Sequence, residues 1–165
     1  MRRVGIAVLL ALIAVTVLIY LSPRLLTAGP AQPVAFSHQT HAGEREIACA
    51  YCHEGVAKSS VAGVPPIERC VGCHPVVAPN DSRVQQLMAY WNNRQPIPWV
   101  RVYRVPDFVY FSHQMHIAAD VACASCHGNV AAMDRIARAQ PLTMGWCLGC
   151  HYQRGASTDC WTCHE

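Results

Sequence analysis

Phe111-Ser112-His113-Gln114-Met115-His116, followed by Cys123-Ala124-Ser125-Cys126-His127, decides how this chain is read. The pattern occurs once before. Phe36-Ser37-His38-Gln39-Thr40-His41 precedes Cys49-Ala50-Tyr51-Cys52-His53. From Phe to the first Cys is 13 residues in the first copy and 12 in the second. Each copy runs on to another C-x-x-C-H. These are Cys70-Val71-Gly72-Cys73-His74, 21 residues beyond Cys49, and Cys147-Leu148-Gly149-Cys150-His151, 24 residues beyond Cys123. Cys160-Trp161-Thr162-Cys163-His164 is a fifth motif outside the duplication. The repeat therefore defines two modules, 36–75 and 111–151, and a further site at 160–164.

The five motifs use all 10 cysteines. Their form suits covalent attachment of haem c. Two thiols add to the two vinyl groups of one haem, two intervening residues set the gap, and the following His sits under the iron. His53, His74, His127, His151 and His164 are the expected proximal ligands. Zinc is a poorer reading, because knuckles pair to give four ligands and five do not pair evenly. Thioredoxin-like thiol pairs would not come five at a time.

The four remaining histidines, His38, His41, His113 and His116, fall in the two H-x-x-H segments. That spacing sets two imidazoles about one helical turn apart. Each is expected to point at a different iron as a distal ligand. Five irons need five distal ligands, so one lacks a histidine. Met88, Met115, Met133 and Met144 are candidates, and a five-coordinate iron is the alternative. Met ligation raises the potential relative to two histidines. Met144 is preferred, because it stands three residues before Cys147 where the first module has Ile67.

Composition agrees. A chain of 165 residues with 3 Phe and few long aliphatic runs has little with which to build a large core unaided. Cofactors are expected to supply it. The expected fold is mostly irregular with short α-helices and very little sheet. Asp81 to Asn93 reads as a short helix, with Asp81 as its cap and Val84, Leu87, Met88 and Trp91 on one face. Gln95-Pro96-Ile97-Pro98-Trp99 cannot continue it. Val100 to Phe111 reads as extended, crossing the surface or docking on a partner.

At the N-terminus, Val4 to Ser22 is uncharged and follows Met1-Arg2-Arg3. A signal core is usually about 7–15 residues and ends at small residues. This run is longer and lacks a clean A-x-A site. It is expected to remain as a transmembrane anchor over 1–22, followed by a linker over 23–35 and a haem domain over 36–165. Arg2 and Arg3 would stay cytoplasmic and the haem domain would lie on the periplasmic, extracytoplasmic side. The formal charge is +3. Five haems with their propionates would bring it to about −2 oxidised and about −7 reduced, so the basic balance is no argument for nucleic acid. No Walker motif, nucleotide fingerprint or Ser/His/Asp grouping is evident.

The F-S-H-x-x-H segment followed by C-x-x-C-H resembles the class III multihaem cytochromes. That resemblance implies that His38 serves the haem on Cys49 and Cys52 and His113 that on Cys123 and Cys126. His41 and His116 would serve neighbouring haems. Three stretches resemble more closely the pentahaem cytochrome subunit of alternative complex III, a bacterial quinol-oxidising membrane complex. They are Pro96 to Val102, Val105 to His113, and Met144-Gly145-Trp146-Cys147-Leu148-Gly149-Cys150-His151. A related subunit of quinone reductase complexes in sulfate reducers is similar too, but usually carries one more haem site.

The resemblance implies an electron-transfer subunit and not an enzyme in itself. Its partners would be an iron–sulfur subunit, quinol-oxidising integral membrane subunits and the lipid bilayer. Its acceptor would be a monohaem cytochrome, a copper protein or an oxidase. The alternatives are a stand-alone, membrane-anchored quinol dehydrogenase, or a haem enzyme acting on a small nitrogen or sulfur compound through a vacant iron position.

Overall fold

The computed structural model describes residues 2–26 and 29–164. The first helix, α1, spans Arg2–Leu26. Seven short helices follow: α2 Cys49–Cys52, α3 Ile67–Val71, α4 Ser82–Asn92, α5 His113–Ala118, α6 Cys123–His127, α7 Met144–Arg154 and α8 Cys160–Cys163. A π-helical turn covers Gln39–Glu44, and 3₁₀ turns cover Glu54–Ala57 and Val130–Ala132. Among the described residues the only β pairing recorded is an isolated antiparallel bridge between Val109 and His164. Long connections lie between these pieces, so the chain is mostly irregular with short helices, as its composition requires.

The expected transmembrane anchor is corrected. Among the described residues, no helix is long and apolar enough to cross a membrane. The side chains of Arg2 and Arg3, and residues 27 and 28 of the expected linker, lie outside the described residues.

α4 forms where its pattern places it. Asp81 stands in extended backbone, and its carboxylate accepts the Arg83 N–H at 2.8 Å. This satisfies one of the donors that a helix start leaves open. The Arg83 guanidinium bonds the same carboxylate and holds its pKa well below the usual range. Val84 and Leu87, one turn apart, are buried, and the face packs towards α3. α7 stops at Gly155, whose φ of +62° lets its N–H return to the carbonyls of His151 and Tyr152.

The apolar interior is very small. Val34, Val84 and Leu87 are the buried hydrophobic residues among those described, and no large side chain is fully buried. In place of a core, the fold encloses a cavity of about 3400 Å³. A drug-sized ligand takes a pocket of about 300–1,000 Å³. The chain is wrapped around room for several large groups.

Candidate functional site

The cavity wall is built from the repeated motifs. Nine of the ten cysteines line it, with Cys73 outside, and eight of the nine histidines, with His74 outside. In α2, α6 and α8 each motif forms one helical turn; the other two lie in or just beyond α3 and α7. On a turn, positions i, i+3 and i+4 share a face, so both thiols and the following imidazole are presented together. Among the described residues no disulfide joins any of the ten cysteines. Burial pushes up the pKa of Cys52, Cys70, Cys126 and Cys147. A redox-active or nucleophilic thiol has the opposite shift.

The H-x-x-H segments supply imidazoles from across the cavity. A metal–imidazole bond is about 2 Å, so two rings sharing one metal stand about 6 Å apart centre to centre. His41 and His74 are 6.0 Å apart, His113 and His127 6.3 Å, and His116 and His151 6.1 Å. His113 and His127 are also nearly parallel, at 10°. His38 has its pKa lowered by burial first and by the charge of His53 second. Its Nδ1 is buried with no hydrogen-bond partner.

Ring tautomers agree. In seven of the nine histidines, Nδ1 faces a backbone carbonyl, which can only accept. The pairs are His41 with Ser37 at 2.8 Å, His53 with Gly63 at 2.7 Å, His74 with Val77 at 3.0 Å and His113 with Ser60 at 2.9 Å. The others are His116 with Ser112 at 2.7 Å, His151 with Ser157 at 2.5 Å and His164 with Phe108 at 3.3 Å. Nδ1 therefore carries the proton, and the Nε2 lone pair is left for a metal. Imidazole rings with centres about 6 Å apart, flanked by paired thiols on a wide cavity, fit haem c. Held there, haem iron would supply a one-electron couple.

The two F-S-H-x-x-H copies repeat the same ring contacts. Phe36 meets His38 edge-on at 4.8 Å and stacks on His41 at 4.3 Å. Phe111 meets His113 edge-on at 4.7 Å and stacks on His116 at 4.6 Å. Each Phe braces two imidazoles that face different motifs.

Tyr103 is a positioning residue that sequence reasoning missed. Its ring meets His127 at 4.4 Å, and its hydroxyl accepts the Ala139 N–H and donates towards the Ala137 carbonyl. The carbonyls of Ser60, Gly63 and Ser157 were missed as well. A backbone acceptor leaves no signature in residue type.

The three ring pairs use His41, His113 and His116, and none of them includes His164. Its recorded ring contact is Phe108, at 5.8 Å. Of the candidate methionines, Met115 and Met144 line the cavity, at 66% and 67% exposure, whereas Met88 and Met133 do not line it. Met133 instead offers its carbonyl to the Gln39 N–H at 2.9 Å.

Two family models match the chain. Residues 22–98 match the class III cytochrome C family, and residues 109–165 match cytochrome c7 and related cytochrome c. No curated protein is matched. Multihaem cytochrome c domains of this kind imply electron transfer, with covalently bound haem c as the carrier.

Proposed function

We propose that the chain carries five haem c groups and serves as an internal conductor of a quinol-oxidising complex of the alternative complex III kind. The observation that supports the haem reading is the set of three facing imidazole pairs 6.0–6.3 Å apart beside C-x-x-C-H motifs, and the five motifs supply the count. The axial ligands would be His53, His74, His127, His151 and His164, with His38, His41, His113 and His116 opposite. Support for the complex is the resemblance over residues 95–151. Electrons would arrive from an iron–sulfur subunit and leave to a monohaem cytochrome, a copper protein or an oxidase. Covalent haem attachment would put the haem domain on the extracytoplasmic side.

Gentle detergent extraction of native membranes, a native gel stained for haem and sequencing of each band test this. Co-migration with an iron–sulfur protein and multi-helix subunits is the expected result. A chain that runs alone and is reduced directly by quinol is instead a dehydrogenase in its own right.

Met144 is the proposed partner of His164. It stands one turn before Cys147 on α7 and shares the cavity with His164. Thioether ligation makes that haem the high-potential member. Met144→Leu should lower the highest midpoint potential and leave the other four in place. A redox titration unchanged by the substitution removes Met144 from this role.

A further inference from the structure

The contacts between neighbouring motifs follow an order that the sequence does not. Between the Cys70 and Cys49 motifs, Arg69 lies over the Tyr51 ring at 4.7 Å and is ion-paired with Glu54. His74 of the Cys70 motif faces His41, which stands three residues after His38.

Between the Cys49 and Cys123 motifs the support is reciprocal. The Ser60 carbonyl, seven residues past His53, accepts from both the N–H and Nδ1 of His113, and Ser59 accepts the Gln114 N–H at 3.1 Å. In return Met133, six residues past His127, accepts the Gln39 N–H. Gly43 lies so close to Ala131 that a Cβ there would stand 2.3 Å from its carbonyl oxygen. Each H-x-x-H turn is thus seated on the loop behind the other module's first motif.

Between the Cys123 and Cys147 motifs, His113 and His116 on α5 face His127 and His151. Between the Cys147 and Cys160 motifs, Ser157 is the bridge. Its carbonyl holds His151, and its hydroxyl meets Thr162 Oγ1 at 2.8 Å inside the last motif.

We infer that the five attachment sites form one unbranched row in the order Cys70/Cys73, Cys49/Cys52, Cys123/Cys126, Cys147/Cys150, Cys160/Cys163. The first site in sequence is second in space. The seat of His113 on Ser60 is the central joint between the halves. The Cys160/Cys163 site, where His164 meets Phe108, is an end of the row.

The inference rests on the five-haem reading, which the mass of the loaded chain tests separately. In the fully loaded protein, partly reduced samples are followed by exchange NMR of the haem methyls, counting for each haem the neighbours whose oxidation shifts its apparent potential. A row gives two haems with one neighbour and three with two. A haem with three neighbours, or a closed ring in which each has two, overturns it.

His41→Met marks the Cys70/Cys73 site and His116→Met the Cys147/Cys150 site. The first should show one coupled neighbour and the second two, and the reverse count overturns the order. If either variant fails to load, the count in the unsubstituted protein still decides between row and cluster.

Discussion

Produced in a compartment where haem is not attached, the chain should stay unfolded: no cooperative thermal transition, no protected amides, and rapid proteolysis beyond residue 29. The same chain loaded with haem should melt cooperatively. The reason lies in the interior. Val34, Val84 and Leu87 are the buried hydrophobic residues among those described. They cannot offset the conformational entropy lost in ordering so many residues. Circular dichroism and hydrogen exchange on both forms measure the difference. A folded, protected haem-free chain would show that the polypeptide holds the cavity open by itself.

The second large effect concerns His41. Its ring faces His74 at 6.0 Å and stacks on Phe36. His41→Ala should convert one low-spin haem, that on Cys70 and Cys73, to a five-coordinate high-spin form that binds carbon monoxide. Its midpoint potential should move, because axial ligation sets it. The number of low-spin haems should fall by one. A further change at His74 should alter the same haem and leave that number where it is. If the two substitutions convert two different haems, the pairing is wrong. His116→Ala should act in the same way on the haem of Cys147 and Cys150, which faces it through His151.

Much of this site is legible in the sequence, because its chemistry is covalent and local. The C-x-x-C-H motifs, the matched H-x-x-H pairs and the α4 pattern each need only residue type and spacing. Phe36 and Phe111 could be quoted as part of a repeat, but their action as braces between two imidazoles appears only in three dimensions. Which motif His41 and His116 face is not local, and the spacing left it open.

The acceptors at Ser60, Gly63 and Ser157 are carbonyls, which every residue carries. Tyr103 sat in a stretch read only as extended, with nothing to set it apart from its neighbours. The N-terminal run illustrates the opposite error. A long apolar stretch was read as a membrane span, and the described residues hold no helix that meets the length and apolarity required.

The mutual seating of the two halves sets a timetable for making the protein. Gln39 bonds to Met133 and His113 to Ser60, so the contacts that finish the first half close over spans of 94 and 53 residues. Long closures of this kind form late. While the chain emerges, the motifs at Cys49 and Cys70 wait on an open segment, within reach of the machinery that attaches haem. Haem attachment in the first half is therefore expected to precede the seating of Gln39 on Met133.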